Sequence, residues 1–236
     1  MDFIKQWAAF WRLFYTNGGY KRVFAEGLKN TLTIAVLGLL IGILIGTLIA
    51  VVRVMPKYKT LPRVLDKICG GYVELFRGTP MVVQLLIGYW VLLPALDIQV
   101  NSGVPVAIIM FGLNSGAYVS EIMRGGINSV DPGQLEAARA VGLPFSISML
   151  KIVVPQAIKN ILPTLGNEFI ALIKETAVVG YVGAVDITKY FQDQGANTYE
   201  YMIPYLVMAA LSIVIVAAIA SLIKLMERRL AKNERH

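Results

Sequence analysis

The chain has 236 residues, 56% of them hydrophobic and only 16% charged, with 22 Lys and Arg against 15 Asp and Glu. Because the apolar residues gather in long runs, this is the composition of a membrane protein and not of a water-soluble domain. The basic surplus flanks those runs, as at a cytoplasmic membrane face, so nucleic-acid binding is not its meaning. A single cysteine, Cys69, excludes an internal disulfide and any cysteine-based metal cluster.

Residues 3–15, FIKQWAAFWRLFY, mix aromatic rings with Lys5 and Arg12 and cannot span. They predict a helix lying at the membrane interface, with rings at headgroup depth and basic side chains reaching water. Gly18-Gly19 ends it, and residues 1–26 form an interfacial N-terminal segment. No basic start with an apolar core and a small-residue cleavage site is seen, so the first span is the expected insertion signal.

Residues 30–223 read as the transmembrane core of a single membrane domain. Asn30 to Val52, Ile98 to Ser120 and Tyr201 to Ile223 are each free of charge over the about 20 residues needed to cross a hydrocarbon core of about 30 Å. Gly78 to Leu96 is a shorter candidate, and Ile161 to Val185 is interrupted by Glu168, Lys174 and Glu175. In the first span, Gly38, Gly42 and Gly46 repeat every four residues and predict one smooth face for a neighbouring helix.

Arg53, Lys57, Lys59 and Arg63 follow without an acid until Asp66, which places that connection in the cytoplasm. Counting onward puts the N-terminus outside and the basic tail 224–236 inside. Asp186, Asp193 and Glu200 against Lys189 suit an outer connection. Lys5, Arg12, Lys21 and Arg22 would then lie outside, against the charge rule, unless they anchor the interfacial helix or an extra re-entrant element precedes the first span.

Residues 132–155, PGQLEAARAVGLPFSISMLKIVVP, are too polar for lipid and too patterned for a slack linker. Asp131-Pro132 supplies a cap and a Pro at a first helical position, and Gly142 supplies a stop. The segment reads as helix, Gly-Pro turn, helix, facing the cytoplasm.

The remaining polar residues sit where they are expensive, since a charge near mid-bilayer costs roughly 2.5–3.5 kcal/mol on insertion scales. Asn114, Tyr118 and Glu121 share one helix face, and Glu168 lies in ILPTLGNEFIALI. They could bind the ammonium and polar groups of an amino acid, or satisfy one another and seal the bundle, with Glu121 paired to Arg124 or Arg77. Glu74, Arg77, Gly78, Thr79 and Pro80 form a polar approach to the second span, in which Gly-Thr-Pro sets a bend and Arg77 pairs with Glu74 or meets a carboxylate. No phosphate-binding loop is present, no HExxH, and the sole histidine is His236, so catalytic residues and metal ligands are not expected.

Glu136-Ala137-Ala138 with Gly142 six residues after Glu136, then Ile152 through Pro155, resembles the EAA motif of ABC importer permeases. Glu74 to Pro80, Gly116-Ala117-Tyr118 with Glu121, Arg124 to Ile127, Gly166 to Phe169 and Ile173 to Thr176 resemble the branch that imports polar amino acids. One departure is Thr176-Ala177-Val178, where a second hydroxyl would be expected. The resemblance implies an all-α integral-membrane permease of the type I importer kind. Five transmembrane helices would be joined by an N-terminal interfacial helix and a cytoplasmic coupling helix, in a bacterial cytoplasmic membrane. It also implies pairing with itself or a similar permease, two ABC ATPase subunits that bind ATP and Mg in place of any cofactor in this chain, and an extracytoplasmic amino-acid-binding protein. Glu136, Ala137, Ala138 and Gly142 would then meet the ATPase, and Asn114, Tyr118, Glu121 and Glu168 would line the solute pathway. The rival expectation is a proton-coupled secondary carrier using Glu168 and Glu121, which would usually carry more spans and an internal repeat.

Overall fold

The computed structural model describes residues 3–16 and 18–232, with side chains as far as Glu227. Residues 233–236 of the basic tail, His236 among them, lie outside the described residues. The helices in chain order are α1 (Phe3–Thr16), α2 (Gly19–Val54), α3 (Thr60–Gly78), α4 (Met81–Ala95), α5 (Val104–Asn128), α6 (Pro132–Ala140), α7 (Phe145–Val182), α8 (Ile187–Thr198) and α9 (Met202–Lys232). No strand occurs among the described residues. Four helices, α2, α5, α7 and α9, are long and apolar enough to cross a membrane, and the count reaches five if α3 and α4 form one broken span.

Two stretches expected to be connections contain helix, although residues 55–59, with Lys57 and Lys59, remain a turn. The basic connection after the first span continues into α3. There Val64, Leu65 and Ile68 alternate with Arg63, Asp66 and Lys67, so the pattern is amphipathic and too charged for a hydropathy window to register. The acidic connection 186–200 contains α8, which buries Ile187, Tyr190, Phe191 and Gly195.

The chain forms two compact units. Unit 1 comprises Met1–Gly38, Met81–Phe111 and Ala171–Ile219, and unit 2 comprises Leu39–Pro80, Gly112–Ile170 and Ala220–His236. In unit 1 an aromatic-rich cluster joins Phe10 and Phe14 of α1 to Val23 of α2, to Ile187, Tyr190 and Phe191 of α8, and to Ile203 of α9. Phe10 stacks near Phe191 with centroids 6.4 Å apart, and Phe14 meets Tyr190 edge-on at 6.2 Å. The N-terminal helix is therefore held against the 186–200 segment. Asp186 caps α8, accepting from the Thr188 amide at 3.0 Å and the Lys189 amide at 2.8 Å. Burial pushes its carboxyl above the ordinary range, and those amide bonds pull the other way.

In unit 2, α2 and α5 approach through glycines on both sides. A Cβ at Gly42 would lie 2.7 Å from the Ser115 Cβ, and one at Gly46 2.7 Å from the Val119 Cβ. Reciprocally, one at Gly112 would lie 2.5 Å from Ile41 and one at Gly116 2.8 Å from Ile45. In lipid, where association rests on van der Waals packing, such close approach supplies the attraction. The contact extends to α3. Val73 packs with Ile49 and Ala117, and the Tyr72 hydroxyl donates to the Leu113 carbonyl.

Gly46→Ala should destabilise the protein by about 1–3 kcal/mol through overpacking, read as a lower melting temperature and loss of monodispersity in mild detergent. Gly70→Ala in α3, where nothing lies within 4 Å, should leave both unchanged or slightly improved.

Candidate functional site

The 132–155 segment forms the helix, turn, helix that its sequence predicts. Asp131 caps α6, its Oδ1 accepting from the Gly133 amide at 2.9 Å. At the other end Gly142 is left-handed, with φ 87°. The Gly142 amide donates to the Arg139 carbonyl at 3.0 Å and the Leu143 amide to the Ala138 carbonyl at 3.1 Å. This is a Schellman closure, and it satisfies the last carbonyls of a nine-residue helix that otherwise would fray. The following turn is held by Ser148, whose amide and hydroxyl both donate to the Pro144 carbonyl, at 3.0 and 3.1 Å.

The element is mounted on two long helices. Leu135 of α6 packs into a cluster with Val130, with Ile122, Met123 and Ile127 of α5, and with Met149, Val153, Ala157 and Ile161 of α7. Helix α7 widens at Met149–Val153, just ahead of Pro155, whose ring removes one backbone donor and crowds the preceding turn.

The four residues expected at the outer surface of this element divide. Glu136, Ala137 and Gly142 are exposed, whereas Ala138 is only 4% exposed, so its small side chain serves the mounting of α6. Sequence reading passed over Val141, which is 78% exposed where α6 ends. An apolar side chain so displayed at the end of a polar helix was visible as the V of ARAVGL.

Unit 2 also encloses an open cavity of about 460 Å³ lined by Arg77 of α3, Tyr118, Glu121 and Ser129 on the α5 side, and Asn160 and Thr164 of α7. The Arg77 guanidinium lies over the Tyr118 ring, 5.3 Å from its centroid, instead of pairing with Glu74 as the sequence had suggested. Glu74 is exposed. Thr79 is extended and its hydroxyl donates to the Leu75 carbonyl at 2.7 Å, so α3 stops at Gly78 ahead of Pro80.

Glu121 is the hub of an ion network. It pairs with Arg53 and with Arg124, the latter at 2.5 Å. Arg53 also lies 3.8 Å from Asp66, which is 2.6 Å from Lys57. Three cations thus face two carboxylates, and they tie the ends of α2, α3 and α5 together. Arg124 was an expected partner of Glu121; Arg53 replaces Arg77 as the other.

Of the four pathway candidates, the cavity gathers Tyr118 and Glu121 but not the other two. Asn114 is buried and donates to the Phe76 carbonyl at 3.2 Å. Glu168 accepts from the buried Ser115 hydroxyl at 2.9 Å. Sequence reading missed Asn160 and Thr164, although with Glu168 they stand four residues apart and make one polar stripe on an apolar helix. Asn160 is held by the Ser129 hydroxyl at 2.8 Å. With Glu121 already paired to two arginines, Arg77 leaves the cavity lining with net positive charge.

Residues 38–232 match the family described as the binding-protein-dependent transport system inner membrane component. The chain belongs to that family. It is the multi-pass, inner-membrane permease component of an ABC importer. Among its relatives, the arginine transport system permease protein ArtQ of Bacillus subtilis is 39% identical over 209 residues, covering 89% of this permease and 93% of ArtQ. The Rickettsia prowazekii protein GlnP, whose name places it in glutamine transport, is 39% identical over 208 residues, covering 88% and 93%. Among solved structures, that of an amino acid ABC transporter with histidines superposes with a TM-score of 0.80 at 35% identity, covering 97% of this permease and 99% of that chain.

If the ion network holds α2, α3 and α5 together, Glu121→Gln should lower the melting temperature by leaving two arginines uncompensated. Adding Arg53→Gln should recover part of the loss. A double-mutant cycle read by thermal unfolding should give a coupling of roughly 1–3 kcal/mol.

Proposed function

We propose that this permease carries polar or charged L-amino acids inward across the cytoplasmic membrane, with its N-terminus outside and its C-terminus in the cytoplasm. It has no nucleotide-binding loop of its own. ATP and Mg are bound by a pair of separate ABC ATPases, an extracytoplasmic binding protein delivers the solute, and a second copy or a similar permease completes the pathway. The solute class follows the arginine and glutamine transport named for its relatives. Family membership also favours this reading over a proton-coupled carrier.

The observation that carries the mechanism is that α6 and the cavity share their walls. Leu135 sits in one apolar cluster with α5 and α7, and those two helices supply Tyr118, Glu121, Asn160 and Thr164 to the cavity. A close-packed cluster transmits displacement because it has few voids to absorb it. When ATP draws the ATPases together, α6 is pushed, and α5 and α7 move with it. In this scheme Glu136, Ala137, Val141 and Gly142 meet a groove of the ATPase. Val141 supplies the apolar knob and Gly142 the left-handed turn that presents it.

Solute recognition divides by charge. Arg77, beside the Tyr118 ring, receives the solute carboxylate. Glu168, which lies outside that cavity and accepts a bond from Ser115, would meet an ammonium group at another point of the pathway. Asn114 acts indirectly, by fixing the end of α3 that carries Arg77.

Val141→Asp leaves the backbone of α6 intact and should reduce amino-acid uptake in cells more than tenfold, with the permease still inserted but no longer copurifying with its ATPase. Gly142→Asp adds a left-handed strain of about 1–2 kcal/mol and should be more severe. Unchanged uptake together with unchanged ATPase association in both variants would remove α6 from the coupling role. Arg77→Gln should raise the apparent KM for uptake at least fivefold while ATPase copurification stays normal.

A further inference from the structure

Unit 1 holds a cavity of about 320 Å³ between α1 and the start of α9, within the roughly 300–1,000 Å³ of small-ligand sites. Its floor is apolar, with Ala9 and Leu13 of α1 along one side and the buried Ile203 behind. Gln194 and Thr198 of α8 also line the cavity, but the α1 side gives water few partners and suits an aliphatic occupant. The rim is charged. Glu200 is held in place by the Gln6 side chain, which donates to Oε2 at 2.8 Å, and by the Met202 amide, which donates to Oε1 at 3.1 Å. Lys5 stands on the same rim, is exposed, and has no ion-pair partner among the described residues.

The surroundings are those of a membrane interface. On α1, Phe3 is 46%, Trp7 40% and Tyr15 64% exposed, and such rings collect where headgroups meet acyl chains. A cavity lined by this helix opens at the depth where a lipid has its polar head on one side and its chain on the other. The rim displays both signs of charge: a cation for a phosphodiester, and a fixed carboxylate for an amine.

We propose that this cavity binds one phospholipid with an ethanolamine-type headgroup. An acyl chain lies on Ala9 and Leu13, Lys5 pairs with the phosphate, and Glu200 receives the primary ammonium. The lipid wedges α1 against α9 and adds to the aromatic cluster that holds α1 on α8. The assignment is independent of which solute the permease carries.

The test is native mass spectrometry of the intact transporter complex, purified in mild detergent and equilibrated with equal amounts of phosphatidylethanolamine and phosphatidylglycerol of identical chains. The expected result is one retained phosphatidylethanolamine per permease copy, favoured at least fivefold over phosphatidylglycerol. Lys5→Glu, a change at an exposed side chain, should lower that retention at least fivefold without altering the melting temperature measured in lipid-free detergent. Leu13→Trp fills the floor and should abolish it. Equal retention of the two lipids by the native complex, or retention in Lys5→Glu and Leu13→Trp equal to the native value, would overturn the proposal.

Discussion

The close approach of α2 and α5 is the constraint on which the rest of unit 2 depends. Gly42 and Gly46 on one helix, and Gly112 and Gly116 on the other, remove the side chains that would hold the two backbones apart. Without a hydrophobic driving force between helices in lipid, this proximity is itself the source of attraction. It also sets what else can meet. With the helices this close, Arg53 near the end of α2 reaches Glu121 on α5, and Tyr72 of α3 reaches a carbonyl of α5. Side chains one methyl larger at the four glycines would shift these polar groups out of register, leaving charges without partners.

Polar groups inside the bundle are spent mostly on one another. Glu121 satisfies two arginines, Asn114 holds the end of α3, and Ser115 donates to Glu168. Such pairing reflects the cost of an isolated charge in low dielectric. It also means that the charge left at the cavity is the difference between many paired groups. Arg77, over the Tyr118 ring and outside the ion network, lines the cavity.

The same economy appears at α6. Its polar groups are closed locally by the Asp131 cap and the Gly142 turn, so the helix needs no support from solvent to keep its shape. Two apolar side chains, Leu135 and Ala138, face its mount, and Glu136, Ala137, Val141 and Gly142 remain exposed. A rigid element on a narrow mount is a lever, whereas a loop of the same length would absorb displacement by local rearrangement.

Local chemistry was legible in the chain alone. The apolar runs, the N-terminal helix, the cap and stop of α6, the glycine face of α2 and the likeness to importer permeases all arise from neighbouring residues or short periodic patterns, and these survive in one dimension. α3 and α8 were not legible as helices, because their apolar faces are interleaved with charges and acquire meaning only against Ile49 and Ala117, or against Phe10 and Phe14. The partner of Glu121 was decided by tertiary structure for a similar reason. Arg77 and Arg53 were both basic residues near a membrane boundary, and only the helix approach placed one beside the carboxylate and the other over an aromatic ring. Sequence alone thus determined where the apolar segments lie and what family they form. Three-dimensional packing decided which polar side chains face a common cavity, because charge pairing across 68 residues of chain, as between Arg53 and Glu121, depends on distances that no local pattern encodes.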